Sequence, residues 1–127
     1  MKFSFNFKVD SVNGLLICDV KGEASQIVDV EHMMKHVFKM AGKNQVKSVV
    51  LDVTEFTTSC SNVDIAKLMM SMEEDGWLGD LKIARIVHPE NNVHPVIGDM
   101  AVSLSLAIKN FESRSQAMLW LLFDKAE

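Results

Sequence analysis

Hydrophobic and polar residues alternate at the start of the chain, as they do in β-strands with one buried face. The first stretch, Phe3 to Lys8, places three phenylalanines at alternate positions. Asn13-Gly14 then favours a tight turn, because both residues tolerate positive φ. A second apolar stretch runs from Leu15 to Lys21. Together the two stretches predict an antiparallel hairpin.

After the hairpin, helical and strand patterns alternate to the end of the chain. Hydrophobic residues recur every three or four positions in four segments, which predicts amphipathic helices. These segments begin near Ser25, Ser61, Pro95 and Ser113 or Arg114. Apolar stretches between them predict strands at Lys47 to Val53 and Lys82 to His88, and a further short stretch could be a strand, Ala107 to Phe111. Loops are expected at Thr54 to Ser61 and at His88 to Pro95. This alternation predicts one α/β domain over residues 1–127, with a mostly parallel sheet after the hairpin.

Each predicted strand has one face that is better suited to burial than the other. In the third strand, Leu51 and Val53 share one face and Asp52 lies on the opposite face. Fully covered parallel strands are apolar on both faces, so this asymmetry predicts a sheet whose helices lie mainly on one face. We expect Asp19, Asp52 and Arg85 on the less covered face, with an ion pair between Arg85 and Asp52. If that face is partly apolar, it is also the expected dimer surface.

Composition and charge narrow the classes of function. The 127 residues are 48% hydrophobic and 24% charged, as in an ordinary globular domain. The net charge is −4 and the 13 basic residues form no cluster, which argues against nucleic acid or an anionic membrane as the main partner. No apolar run approaches the ~20 residues that span a bilayer. Cys18 and Cys60 lie far apart, and no signal-peptide core precedes them, so we expect reduced thiols in a cytoplasmic protein.

The Ser/Thr-rich segment after the third strand is the best candidate for a site, because sites in βα units lie at the carboxyl ends of strands. Ser61 and Asp64 have the spacing of a capping box, so the favoured role of Ser61 is to cap the following helix. A phosphate is also electrostatically favourable at a helix N-terminus. Ser59 and Ser61 are therefore candidates for phosphorylation or for binding an anion.

Cys60 and His88 follow the ends of two strands that we expect to be neighbours, which places both at the edge of a ligand site. A thiol and an imidazole are the minimum for a nucleophile and a base, but no orienting acid or oxyanion-hole motif accompanies them. His32 and His36, with Glu31, share a helix face and could bind Zn²⁺ if a third ligand were supplied. A solvated polar face is the favoured interpretation. We predict no catalytic residue, no metal site and no cofactor.

Nine methionines are many for a chain of this length, and five of them occur in tight groups: Met33, Met34, Met69, Met70 and Met72. Met fills irregular cores and also lines adaptable binding surfaces. The helical spacing of these residues favours core packing. The alternative is an apolar ligand pocket that includes Trp77, which requires the helices over Met69–Met72 and Val96–Leu104 to splay apart.

Three segments carry a resemblance to a known family: Val20-Lys-Gly22, Val49-Val-Leu-Asp52 and Asn110-Phe-Glu-Ser-Arg-Ser-Gln-Ala-Met-Leu-Trp-Leu121. The closing pattern, a strand ending in Phe and then Ala-x-x-Trp-Leu, is the most specific. With these segments the chain resembles the SpoIIAA-like proteins, relatives of the STAS (sulphate transporter and anti-sigma-factor antagonist) domains. The resemblance implies a single domain of order ββαβαβαβα, in which successive strands are neighbours and Phe111 closes a strand.

The resemblance also implies a function. STAS relatives are protein-binding switches, some controlled by phosphorylation of a serine in an Asp-Ser-Ser-Gly segment, and the CRAL-TRIO lipid carriers are sometimes grouped with this architecture. The matching segment, Thr58-Ser-Cys-Ser-Asn62, lacks the acidic residue and the glycine, and Ser59 and Ser61 are the nearest matches. We therefore expect a non-enzymatic regulatory or protein-interaction domain that forms a homodimer. The alternative is a carrier or sensor of a small apolar or lipid-like ligand.

Overall fold

The computed structural model describes residues 3–88 and 96–123, which form five strands and four helices. In chain order they are β1 (Phe3–Asp10), β2 (Leu15–Ala24), α1 (Ile27–Lys43), β3 (Ser48–Thr58), α2 (Asn62–Glu74), β4 (Lys82–Ile86), α3 (Val96–Ser103), β5 (Ile108–Phe111) and α4 (Arg114–Phe123). This is the predicted order, and β5 is a strand as the family resemblance implied. The predicted loop up to Pro95, and Pro95 as a helix start, lie outside the described residues.

The five strands form one sheet in the order β1-β2-β3-β4-β5. β1 and β2 pair antiparallel, and the three later pairings are parallel. The hairpin, the mostly parallel sheet and the neighbouring order of successive strands are therefore confirmed. Because consecutive right-handed crossovers between neighbouring strands place their helices on the same side, this order also determines where the helices lie.

The main core lies between one face of the sheet and helices α1, α2 and α3. Its sheet side includes Leu16, Val49, Leu51 and Ile83, all of which are buried. On the other face, α4 is the only described helix, and it packs Ala117 and Leu121 against a smaller cluster on the sheet: Leu15, Val50, Ala84 and Ile86. The prediction of helices mainly on one face is confirmed. α4 does not connect two of the five described strands, so the handedness of the crossovers does not decide the side on which it lies.

β3 is longer than the sequence pattern indicated. The predicted loop from Thr54 to Ser61 is strand as far as Thr58, so that part of the prediction was wrong. A register shift between Asp19 and Lys21 of β2 lets the later part of β3 continue to pair with β2. Threonine favours extended backbone because its branched side chain packs well on a pleated surface. Only Ser59, Cys60 and Ser61 remain between β3 and α2.

The helices agree with the predicted hydrophobic stripes. Four of the five grouped methionines are buried, in α1 and α2: Met33, Met34, Met69 and Met72. Met70 is 46% exposed. The predicted cap of α1 was wrong by one residue, because Gln26, not Ser25, occupies the N-cap position and makes no side-chain capping bond. Among the described residues, no helix combines the length and the apolar character that a membrane crossing requires.

Candidate functional site

The connection between β3 and α2 holds three of the candidate residues at the carboxyl edge of the sheet. The Ser59 N–H donates to the Ala24 carbonyl at 3.2 Å, which ties the connection to β2. The Ser61 Oγ accepts a hydrogen bond from the Asp64 N–H at 3.1 Å and caps α2, as predicted. Asp64 places a carboxylate in the first turn, where the helix dipole favours it. Phosphorylation or anion binding at Ser59 or Ser61 stays a prediction.

Cys60 and His88 end adjacent parallel strands, yet their side chains lie in different surroundings. Cys60 is only 6% exposed and belongs to the main core, and its N–H donates to the Thr58 Oγ1 at 3.2 Å. His88 is exposed, two residues beyond the end of β4. In the part of the chain that the structure describes, no hydrogen bond joins the Cys60 thiol to His88. Their role as the edge of a ligand site stays a prediction.

A polar cleft of about 580 Å³ opens beside this connection, between the ends of β2 and β3. Hydroxyl groups of Thr57, Thr58 and Ser59 line one side. The carboxylates of Glu23 and Asp29 line it as well. Because these two negative charges repel an anion, the cleft offers Ser59 poorer surroundings for a bound or attached phosphate than the N-terminus of α2 offers Ser61.

A second cavity, of about 90 Å³ and partly open to solvent, lies between the sheet and the three helices. Its walls are almost entirely apolar and include four methionine side chains: Met33, Met34, Met69 and Met72. Among the described residues that line it, two are polar, Thr58 and Arg85. Trp77, which the sequence associated with such a pocket, lies elsewhere and packs its ring against Phe38 at 5.9 Å between centroids.

The predicted ion pair between Arg85 and Asp52 was wrong, because the two residues lie on opposite faces of the sheet. Arg85 is in register with Leu51, and Asp52 is in register with Ile86. Residues that pair across parallel strands share a face, so Arg85 points toward the main core with Leu51. There its Nη1 donates to the Asn110 Oδ1 at 2.9 Å. Burial lowers the pKa of Arg85 to about 10.

Asp52 instead binds Arg114, the first residue of α4. The Arg114 Nη2 lies 3.1 Å from the Asp52 Oδ2 and 3.4 Å from the Asp19 Oδ1. The other oxygen of Asp52 accepts hydrogen bonds from the Thr54 N–H at 3.0 Å and from its Oγ1 at 2.7 Å. Burial alone would raise the pKa of Asp52, but the bonds from Thr54 and then Arg114 outweigh burial and lower it below 3.8. Asp19 and Asp52 therefore share the less covered face, as predicted, but with a different cation.

The remaining titratable candidates have structural surroundings. The rings of His32 and His36 lie 4.9 Å apart, and His36 packs on Phe5 at 5.5 Å. Within residues 3–88 and 96–123, no three His, Cys, Asp or Glu side chains are grouped closely enough to hold a metal ion. Cys18 is fully buried, and burial, with a smaller contribution from the Asp19 charge, raises the pKa of its thiol to about 12. Cys18 is therefore a packing residue and not a nucleophile.

Comparison with solved structures identifies the architecture. An anti-sigma factor antagonist from Mycobacterium paratuberculosis superposes with a TM-score of 0.58 at 12% identity, over 93% of this chain and 94% of that one. An uncharacterized protein with a SpoIIAA-like fold, from Shewanella loihica, superposes with a TM-score of 0.56 at 16% identity, over 94% of each chain. The chain has the SpoIIAA-like fold. No family model matches it, and no curated protein sequence does either.

The sequence predicted the SpoIIAA-like fold. It did not predict the polar contacts that two residues make. Arg114 was considered only as a helix start, and Asn110 only as part of a strand. A signal for Arg114 was present: a cation in the first turn of a helix opposes the helix dipole, so it requires nearby carboxylates. Asn110 gave no comparable signal, because its contact with Arg85 depends on the register between β4 and β5, where the two residues pair.

Proposed function

We propose that the chain is a regulatory domain that acts by binding another protein, and that it performs no catalysis. The SpoIIAA-like fold supports this proposal, since one structurally similar protein is an anti-sigma factor antagonist. The similarity in fold extends over 93% of this chain and 94% of that protein. A cytoplasmic location, consistent with two cysteines that form no disulfide, belongs to the same proposal.

An exposed surface along α2 supports the proposal of a partner-binding domain. Val63 is 62% exposed and Met70 is 46% exposed. They are seven residues apart, so both lie on one side of the helix, two turns from each other. Ser61 lies at the N-terminal end of this surface. A partner that packs on Val63 and Met70 would therefore contact the cap of the helix, where a phosphate on Ser61 would change the local charge.

Substitutions on α2 test this surface. Val63→Asp introduces a charge into the proposed interface, and the aspartate lies in the first turn, where the helix dipole stabilises it. Met70→Asp places a charge at the other end. Val102→Asp is the matched control, because Val102 is 81% exposed on α3. We expect partners crosslinked to the unmodified protein in host cells to be lost from both α2 variants and retained by the control.

Two variants of Ser61 distinguish its role as a helix cap from a role in regulating partner binding. Ser61→Asp keeps an oxygen that can cap α2, whereas Ser61→Ala removes the cap. If the negative charge regulates binding, the aspartate variant loses the crosslinked partner while its thermal stability stays close to that of the unmodified chain. Equal loss of every partner from the α2 variants and from Val102→Asp would contradict the proposed surface.

Self-association is a further part of the proposal, and α4 provides the support for it. Leu119, Leu122 and Phe123 are 60%, 37% and 71% exposed on the outer side of this helix. Their spacing of three and four residues places them in one stripe. The stripe lies over the sheet face that only α4 covers, which is the face expected to mediate a homodimer.

A second candidate function, the carrying or sensing of a small ligand, is favoured by the cavity of about 90 Å³ in the main core. Ligand pockets are concave and lined mostly by apolar side chains, with a few polar groups that orient the ligand. An apolar cavity with adaptable methionine walls therefore has the character of a ligand pocket.

A further inference from the structure

The cavity in the main core contains one cationic side chain among apolar walls. Arg85 lines it together with residues from α1, α2, β3 and β5. A guanidinium has five N–H donors. Among the described residues, one atom accepts a hydrogen bond from them: the Asn110 Oδ1, which lies 2.9 Å from the Arg85 Nη1. Within residues 3–88 and 96–123, no other protein acceptor bonds to this guanidinium.

Arg85 also has no carboxylate within ion-pair distance in residues 3–88 and 96–123, where the ion pairs involve other side chains. Arg114, by contrast, bridges two carboxylates on the opposite face. A cation in apolar surroundings is costly unless an anion or several acceptors compensate it. Burial lowers the pKa of Arg85 only to about 10, so the guanidinium remains charged at neutral pH.

We infer that this cavity binds a short-chain monocarboxylate, with the carboxylate on Arg85 and the alkyl chain among the methionines. A carboxylate matches the planar fork of a guanidinium and accepts two parallel hydrogen bonds from it. The apolar walls, which include Met33, Met34 and Met69, suit an alkyl chain. This inference deepens the second proposed function, and it is independent of the partner surface on α2.

The cavity volume limits the length of the acid. The cavity of about 90 Å³ is smaller than the engineered cavities that accommodate an aromatic ring. An engineered apolar cavity of about 150 Å³ binds benzene. A chain of three carbons beyond the carboxylate, as in butyrate, therefore fits without rearrangement. Longer chains require the methionine walls to move, which their unbranched side chains permit.

A route to Arg85 exists on the same side of the sheet. β4 is an internal strand, with β3 and β5 on either side. Arg85 nevertheless keeps partial exposure. Solvent therefore reaches part of its side chain. Thr58, which is also half-buried, adds a hydroxyl group to the cavity lining. The carboxylate can remain near water while the alkyl chain occupies the apolar interior.

Methionine methyl groups provide the readout for a binding experiment. In protein labelled with ¹³C at the methionine methyls, four signals report on the cavity walls: Met33, Met34, Met69 and Met72. Met70 is exposed, and Met118 packs on the opposite face of the sheet, so both serve as internal controls. The protein is titrated with butyrate, with butanol and with inorganic phosphate at constant pH and ionic strength. We expect butyrate to shift the four cavity signals and to leave Met70 and Met118 unchanged.

Variants at the two arginines separate the cavity from general electrostatics. Arg85→Gln removes the charge but keeps an amide that can bond Asn110, and Arg85→Lys restores a positive charge without the fork. Arg114→Gln is the matched control on the opposite face. We expect the apparent Kd for butyrate to rise about tenfold or more in Arg85→Gln, less in Arg85→Lys, and to change less than about twofold in Arg114→Gln.

The ligand series on the unmodified protein gives a decision even if Arg85→Gln does not fold. Butanol that binds as tightly as butyrate would overturn the role of Arg85 while preserving a carrier of apolar ligands. Phosphate that displaces butyrate with equal affinity would overturn the role of the alkyl chain. If no ligand shifts the cavity methyl signals, both this inference and the carrier function fail, and the partner-binding function is unaffected.

Discussion

Two arginines on opposite faces of one sheet show how the surroundings of a residue determine its role. Arg114 is 49% exposed in its side chain and contacts two carboxylates, 3.1 and 3.4 Å away. Arg85 is half-buried and contacts an amide. Arg114 joins α4 to β2 and β3, and the charges of the two carboxylates compensate the charge of its guanidinium. Arg85 is a cation with no anionic partner among the described residues, and this is why we infer that a ligand binds it.

The fastening role of Asp52 predicts a dependence of stability on pH. The folded-state pKa of Asp52 is lowered, so its contribution to stability is fully present above the unfolded value near 3.8 and is lost as the pH falls through the folded value. Asp52→Asn should lower the free energy of unfolding by about 1.5–3 kcal/mol at pH 7, the range for a hydrogen bond to a charged group. The difference between the two proteins should shrink below pH 3.8.

Urea unfolding of both proteins from pH 7 to pH 3 measures this difference. Glu55→Gln is the control on the same strand, since the ion pair of Glu55 with Lys21 is 67% and 60% exposed and contributes little. A difference for Asp52→Asn that stays constant across this pH range would show that the carboxylate charge is not what stabilises the contact.

The wrong pairing of Asp52 with Arg85 shows what a sequence leaves open at this scale. Alternation along a strand divides its residues into two faces, but it does not match the faces of one strand to those of the next. In β4 both faces are apolar, with Ile83 and Val87 on one and Ile86 on the other. The pattern therefore gave no reason to place Arg85 in the main core. Only the register, Leu51 opposite Arg85, decides it.

At the scale of elements, β3 shows what a hydrophobic pattern predicts and what it does not. Its apolar first half was predicted because it is buried on both faces. Its second half, beyond Val53, is rich in threonine and was predicted as loop. The extension exists because β2 is also long and provides partners up to Ala24. Pairing with a distant segment is tertiary information, which local propensity does not contain.

The two sides of β3 also give a matched test of the cavity. Val53 lines the cavity, whereas Val50 is fully buried in the smaller core against α4. Val53→Ile adds one methylene to empty space and should raise the free energy of unfolding by up to about 1 kcal/mol. Val50→Ile adds the same group to a packed core and should lower it by about 1–3 kcal/mol. Chemical denaturation of the two variants, together with the unmodified protein, measures both changes.

Butyrate binding by the same two variants connects stability with the proposed ligand. Val53→Ile reduces the cavity volume, so it should weaken butyrate binding while it stabilises the fold. Val50→Ile should leave butyrate binding unchanged because it lies on the other face. A Val53→Ile protein that is less stable than the unmodified chain would show that the cavity walls do not leave space for a methylene.

At the scale of the whole molecule, the topology of the sheet was predictable because it follows from the order of the strands and helices. Strand and helix patterns alternate, and each parallel connection between neighbours must cross over with the same hand. The side on which α4 lies was not predictable in this way, because α4 does not connect two of the five described strands. α4 lies on the opposite face, and the contact of Arg114 with Asp19 and Asp52 joins its first residue to that face.

The unusual position of α4 leads to the last prediction, which concerns self-association. Single exposed hydrophobic residues are common on protein surfaces, so only their arrangement is informative. Leu119 and Phe123 are four residues apart, 60% and 71% exposed, and Leu122 lies beside them. Leu119→Glu and Phe123→Glu should each shift a dimer toward monomer in native mass spectrometry and in light scattering. Val102→Glu, which alters an equally exposed residue on α3, should leave the dimer intact. A monomeric unmodified chain, or an equal effect of Val102→Glu, would remove α4 as the dimer surface, because a stripe that buries nothing in the assembly has no reason to respond to charge.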